Sequence, residues 1–492
     1  MGIETLRTLD LPHTRIVELE VIEGNFQNDR FREHALPPTC RVLYETSYGE
    51  GSLIRSELWM PNDWNGRFVG LGNGGIAGVL RGYYPGFSRQ GYAVAETDMG
   101  TSRILSGECK QAGEELFRDY GWRSTHMMTV IAKRLMEAYY GRRPEYSYFI
   151  GYSAGGKQGL SLVQRFPEDY DGVLSGVPSN NALFLITGFL WNYVHLTTRD
   201  GGAVISTAEA EAIHGAAVDF FRALGDGEEG DRFITHPFAG ADTVPRFIAY
   251  LRERLPALSE AQIEALEAVY RGPIHGKNGK QIYCGYPIGG EVNAGWMRDT
   301  DAPRKFGWPW FHHFFGEDFC LHDFDFSDQL DLMIEKIAAD FCSNAPDLSA
   351  YFARGGRLLS FSGVADPFGA WGDAAKYYNR VVAAVGDYET VSASYRLFFP
   401  PGKAHGNEGR GTNALYANEE RASLFSALIA WCEQGTPPEY LVAARVEKTE
   451  EGEKLAFMRR VYPYRADWQE GVDFPPSCDE EYLDIPANKS PC

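Results

Sequence analysis

Nowhere in its 492 residues does this chain offer a run of about 18 consecutive apolar residues, the length a membrane-crossing helix needs. Its N-terminus, MGIETLRTLDLPHTRIVELEVIEG, is broken by charge too often to hold the apolar centre of a secretion signal. A cytoplasmic location is the expectation. Positive charge is scarce as well: 47 Lys and Arg stand against 67 Asp and Glu, a formal net charge of −20. A protein that grips phosphates needs a basic face, so nucleic acid and anionic membranes are excluded as partners. The eight cysteines show neither a C-x-x-C pair nor zinc-like spacing, and in so long a chain they make no disulfide framework. They are expected to be reduced and buried, with a bridge between Cys478 and Cys492 left open. Internal repeats and low-complexity tracts are absent too.

What the chain has is aromatic mass, 27 Tyr, 30 Phe and 10 Trp, together with enough length for one large domain carrying an insertion, or for two domains. The first part reads as strands: RIVELEVIEG, CRVLYETSYG and SLIRSELWMP mix β-branched and apolar residues and end at Gly, Pro or Asn. Then RFVGLGNGG, YAVAETDMG, YSYFIGYS and GVLSGVP each run apolar to a glycine or proline turn, with helical stretches between them. In STHMMTVIAKRLMEAYYG, Met128, Ile131, Leu135 and Ala138 fall at helical spacing, with Ser124 or Thr125 as the cap and Gly141 as the stop. Strands alternating with helices imply a parallel sheet, an α/β fold. The alternation disappears over residues 180–347, where ISTAEAEAIHGAAVDFFRAL and LSEAQIEALEAVYRG read as amphipathic helices. It resumes with GGRLLSFSGVAD, SYRLFFPPGKAHG and the helix RASLFSALIAWCEQG. Residues 1–179 and 348–492 are therefore expected to form two parts of one core, with 180–347 inserted, and the last thirty residues to form an irregular tail.

The chemistry concentrates in YFIGYSAGGKQ, where Ser153 occupies a G-x-S-x-G frame between a strand and a helix, GGKQGLSLVQRF. A serine hydroxyl becomes a nucleophile only when a base takes its proton, so a histidine and an orienting carboxylate must follow. His405 ends a late strand in LFFPPGKAHGNEG, and Asp366 ends the preceding one in LLSFSGVAD, with Asp373 as the alternative carboxylate. Ser153, Asp366 and His405 thus fall at three strand ends in α/β-hydrolase order. Acyl transfer also needs donors aimed at an oxyanion. One is the N–H of Ala154, and the other comes from Gly74 or Gly75 in VGLGNGGIAG. The same turn lacks the lysine that a P-loop needs to cradle phosphate. Two further groups stand out. His312, His313, His322 and Asp323 invite a metal reading but sit among aromatics that suit a pocket wall, and LGDGEEGDRFI offers Asp226, Glu228 and Asp231 to a calcium ion without EF-hand spacing.

Taken together these segments resemble the tannase and feruloyl esterase family of serine esterases. The resemblance is carried by VGLGNGGIAG, YSYFIGYSAGGKQGLSLVQRFPEDYDGVLSGVP, VYRGPIHGKNGKQIYCGYPIGGE, GGRLLSFSGVADPFGAWGDAAKYYNRV, WCEQGTPPEYL and VYPYRADW, and so runs through most of the chain. It implies an α/β-hydrolase domain with a large lid inserted between late core strands. It also implies hydrolysis of esters of aromatic acids, of gallate or hydroxycinnamate type, with the lid forming much of the acid pocket. No cofactor is required by such chemistry, and a small aromatic ester is the expected partner. An acyltransferase or lactonase using the same three residues, or a non-catalytic ligand-binding relative, remains the alternative. In the family pattern a cysteine precedes the serine and another follows the histidine, and the two are bridged. Here those places hold Tyr152 and Gly406, so packing of Tyr152 on the histidine loop is expected instead. Secreted members also carry a calcium loop, which LGDGEEGD matches only in part; both departures fit a reducing compartment.

Overall fold

A computed structural model describes residues 3–28, 31–105, 113–237, 242–293, 308–369, 371–450 and 452–465. The chain divides into two compact units, one of residues 1–180, 337–358 and 487–492, the other of 181–336 and 359–486.

The first unit is built on a mixed sheet. β1 (Thr14–Asn28) and β2 (Phe31–Thr46) form a long antiparallel pair, β3 (Ile54–Pro61) continues it, and β4 (Arg67–Leu71), β5 (Ala93–Thr97), β6 (Tyr146–Tyr152) and β7 (Gly172–Gly176) follow. The order across the sheet is β1-β2-β3-β5-β4-β6-β7, antiparallel as far as β5 and parallel beyond it. Every residue of β5 and of β7 is buried, as expected of strands covered on both faces. The strand order ends with β8 (Arg357–Phe361) and β9 (Tyr395–Phe398).

Helix α1 (Ser124–Tyr140) stops at Gly141, whose φ of 75° is the left-handed stop expected of it. The expected cap is corrected. Neither Ser124 nor Thr125 caps the helix, because a π-helical turn (Asp119–Arg123) runs directly into it and extends the backbone upstream. The strand-to-helix step from β6 leads into α2 (Ala154–Arg165).

In the second unit, α3 (Ala182–Leu196), α4 (Thr207–Ala223), α5 (Thr243–Arg254) and α6 (Glu260–Arg271) pack around Ile213, Phe220, Phe247, Leu251, Leu266 and Val269. Among the described residues no strand lies between β7 and β8. α7 (Trp371–Val385) lies between β8 and β9; after β9 come α8 (Leu424–Gln434) and a three-stranded antiparallel sheet that the sequence did not lead one to expect: β10 (Ala414–Tyr416), β11 (Leu441–Thr449) and β12 (Gly452–Val461). The expected tail lies almost wholly outside the described residues, as do Cys478 and Cys492. The thiols are less uniformly buried than expected: Cys40 and Cys342 are, but Cys284 and Cys432 are partly exposed and Cys320 is exposed. No helix among the described residues is long and apolar enough to cross a membrane.

Candidate active site

Ser153 stands in the first unit, at the turn from β6 into α2, with φ 60° and ψ −122°. That conformation is strained for a residue with a Cβ, by about 1–3 kcal/mol, and must be held from outside. The holding contacts are backbone bonds. The Ser153 N–H donates to the Gly176 carbonyl at 2.9 Å, while the Ser153 carbonyl accepts from Lys157 at 3.1 Å and from Ser179 at 3.3 Å.

The glycine turn after β4 lies against this elbow. The Gly155 N–H donates to the Asn73 carbonyl at 2.7 Å, and the Asn73 N–H donates to the Gln158 side chain at 2.8 Å. A Cβ on Gly72 would stand 2.7 Å from the Gly155 Cα, so only glycine allows the approach. Gly75 follows with a φ of 62°. Among the described residues no acceptor is found for the N–H of Ala154, Gly74 or Gly75. Gln158 had no place in the sequence reading; its position one helical turn after Ala154 was the only signal.

Asp366 and His405 stand in the second unit and meet there. The turns after β8 and β9 are stitched by bonds from Ser362 N–H to the Phe398 carbonyl at 3.0 Å and from Ala365 N–H to the Lys403 carbonyl at 3.1 Å. A Cβ on Gly363 would lie 2.2 Å from the Lys403 carbonyl oxygen, which is why glycine stands there. The result is a His405 Nδ1 to Asp366 carboxylate contact of 2.9 and 3.0 Å, with Asp366 fully buried and His405 partly open. Asp373 is engaged elsewhere, accepting from the Asn181 side chain at 2.8 Å. Burial pulls the His405 imidazole down, but the Asp366 charge and hydrogen bond, helped by Glu408, outweigh it and leave the ring more basic than an ordinary histidine. The loop is braced locally: Lys403 Nζ donates to the Gly406 carbonyl at 2.7 Å, and the Gly406 N–H donates to Glu408 at 3.1 Å. Tyr152 is 45% exposed at the end of β6.

The metal candidates do not converge. His312 Nδ1 faces the Gly316 carbonyl, His322 Nε2 faces the Thr197 carbonyl, and Asp323 pairs with Arg199. In the acidic loop, Asp226 accepts from the N–H groups of Thr235 and His236, while Asp231 and Glu228 pair with Arg459. Among the described residues no group of three or more such side chains could hold a metal ion.

Near the Asp–His pair the second unit contains a solvent-open slot lined by Leu185, Phe189, Asn192, Tyr283, Tyr286 and Asp366 among others.

A serine on a strained turn between a parallel strand and a helix, and an Asp–His pair on the turns after two later strands, are the layout of an α/β-hydrolase. Solved structures share the fold: feruloyl esterase B from Aspergillus oryzae superposes with a TM-score of 0.78 at 21% identity, covering 94% of this chain and 96% of that one. Tannin acyl hydrolase from Aspergillus niger gives 0.73 at 19% identity, covering 100% and 98%. The model of the family "Tannase and feruloyl esterase" matches residues 40–307 and 318–480, and the chain belongs to that family. It is similar to feruloyl esterase B of Aspergillus niger, 28% identical over 419 residues, 82% of this chain and 78% of that protein. Feruloyl esterase C of Talaromyces stipitatus is 27% identical over 87% of this chain and 83% of its own length. The protein is a carboxylic ester hydrolase.

Proposed function

We propose that the protein hydrolyses esters of aromatic acids of gallate or hydroxycinnamate type, through a Ser153, His405 and Asp366 triad and an acyl-enzyme. The observation that carries the reading is the 2.9 Å contact between the buried Asp366 carboxylate and His405 Nδ1, which leaves Nε2 as the proton acceptor. His405 takes the Ser153 proton as Oγ attacks the ester carbonyl. The N–H groups of Ala154 and of Gly74 or Gly75 receive the negative charge that builds on oxygen. The proton then passes from Nε2 to the departing alcohol, and water repeats the two steps on the acyl-enzyme. No cofactor or metal enters this sequence.

The aromatic acid is supported by the relatives, a feruloyl esterase and a tannin acyl hydrolase among them, and by the slot, whose Phe189, Tyr283 and Tyr286 suit a flat ring. Most of that lining comes from residues 180–347, in keeping with their role as a lid. Tyr152 and Gly406, in places where the family pattern pairs cysteines, support a reducing, cytoplasmic location. The test is a panel of gallate, hydroxycinnamate and simple aryl and short aliphatic esters with wild-type and Ser153→Ala proteins. Aromatic acids are expected to lead, and Ser153→Ala to be inactive but folded. Retained turnover in Ser153→Ala sinks the triad, and a preference for short aliphatic esters sinks the substrate.

A further inference from the structure

Beneath the serine turn lies a charge that the acyl-transfer steps leave unused. Lys157, one helical turn after Ser153, is completely buried. Its Nζ finds no carboxylate partner among the described residues; it stands 3.9 Å from the centroid of the Tyr120 ring and 4.9 Å from that of Phe341. Its one hydrogen bond, a long one of 3.4 Å, goes to the Tyr120 backbone carbonyl. Burial accordingly drags the ammonium down to about 7. A buried ammonium without a carboxylate is costly, and both its hydrogen bond and its nearest ring belong to Tyr120.

Tyr120 connects in turn to the glycine turn. Its ring stacks on Phe341 at 5.0 Å, and its hydroxyl donates to the Gly75 carbonyl at 3.2 Å. The Thr101 hydroxyl holds the next carbonyl, that of Ile76, and Glu96 receives the N–H groups of Arg81 and Gly82 at 2.8 and 3.0 Å. Those bonds pin the far side of the segment. Tyr120 is the group that reaches Gly75 itself, a glycine with a φ of 62° and no side chain of its own to anchor the turn.

We propose that Tyr120, gripped by Lys157, is a positioning residue that sets the Gly74–Gly75 turn against the Ser153 turn, so that two N–H groups from separate segments face one oxygen. The inference rests on the reading of Ala154 and Gly74 or Gly75 as oxyanion donors. Lys157 rides on the helix that carries the first donor, and Tyr120 holds the carbonyl next to the second. Together with the Asn73 bonds to Gly155 and Gln158, this side-chain pair therefore sets the distance between them.

Tyr120→Phe removes only the hydroxyl, keeping the stack and the cation–π contact. On an aryl ester of the preferred acid it is expected to lower kcat about tenfold to a hundredfold with KM within about twofold, since the donor geometry matters most in the transition state. Lys157→Met, which keeps the stem and removes the charge, is expected to lower kcat by about five- to tenfold while the melting temperature holds or rises, because a buried unpaired charge is removed. A melting temperature that falls in both variants with kcat retained shows a packing role and overturns the proposal, as does a rise in KM at unchanged kcat. Should Tyr120→Phe fail to fold, Lys157→Met decides by the same readout. Ser153→Ala is assayed alongside. If it is inactive and Tyr120→Phe is not impaired, the positioning role fails alone; if Ser153→Ala still turns over, the oxyanion reading itself fails and the proposal with it.

Discussion

Gly155→Ala isolates the close approach on which the proposed site depends. Gly155 has no left-handed backbone, so alanine can adopt its conformation and, as a helix residue, is even favoured by about 1 kcal/mol. The new Cβ, however, would stand 2.7 Å from the Asn73 carbonyl oxygen and 3.0 Å from both the Asn73 nitrogen and the Gly72 carbonyl carbon. All three are backbone atoms and none can rotate aside. To restore an ordinary contact of 3.4 Å the 72–75 turn must retreat by about 0.7 Å. That retreat stretches the 2.7 Å bond from Gly155 N–H to Asn73 out of good range. Overpacking of about 1–3 kcal/mol and a lost hydrogen bond of about 1 kcal/mol are set against the helix gain, leaving a net destabilisation of about 1–3 kcal/mol. The catalytic effect is larger, because displacing a donor by that distance approaches its deletion, about 10²- to 10³-fold in kcat. Steady-state kinetics on an aryl ester, with thermal unfolding on the same samples, measure both. A kcat within threefold of wild type at an unchanged melting temperature would refute the reasoning, since it would mean that the turn yields without consequence.

Asp366→Asn leaves the shape of the pair and removes its charge. Activity is expected to fall by about 10⁴-fold. The residual kcat/KM should also change its pH dependence: the wild-type acidic limb lies above the ordinary histidine value, whereas in the variant burial prevails and the limb moves below it, which a pH-rate series reads directly. A second buried pair governs stability. Burial lowers the His214 pKa, but Glu291 at 3.3 Å and the Arg232 carbonyl at 3.0 Å more than reverse this, so the folded value is raised. Its contribution is full below the unfolded value of about 6.5 and is lost as pH rises through the folded value. Melting temperature should therefore decline along that upward path. Glu291→Gln should cost about 3 kcal/mol at pH 6 and flatten the decline; a slope unchanged by the substitution would assign it to other groups.

Much of the core was legible because several parallel strands are short apolar runs that lead into glycine-containing turns. GLGNGG, GYSAGG, SGVAD and KAHG all announce strand ends, and the choice of Asp366 over Asp373 followed from strand position alone. Other features had no local signature. The cap on α1 was misjudged because the π-helical turn at Asp119–Arg123 is set by tertiary contacts, among them the Trp122 indole on Asp340 and the Arg123 guanidinium over the Tyr48 ring. The β11 and β12 hairpin was missed although LVAARVEKT and GEKLAFMRRV carry strand residues, because their many charges leave no clean apolar alternation. Lys157 and Tyr120 were invisible for a different reason: a lysine after GYSAGG reads as a solvated helix residue until its burial is known.

The grip of Arg459 on the acidic loop has a consequence for synthesis. Arg459 holds Asp231 through two bonds of 2.7 and 2.8 Å across 228 residues, and it lies beside the stacked rings of Phe233 and Phe457. At about 5–20 residues per second, a nascent chain carries Asp231, Glu228 and Phe233 for about 10–45 s before their partner emerges from the ribosome. During that interval the loop has carboxylates without a counter-charge and an aromatic without its stacking ring. The second unit closes around this loop once β12 has been made, which makes that strand a checkpoint: chains truncated before β12 should persist as substrates for chaperones and proteases rather than as partly working enzyme.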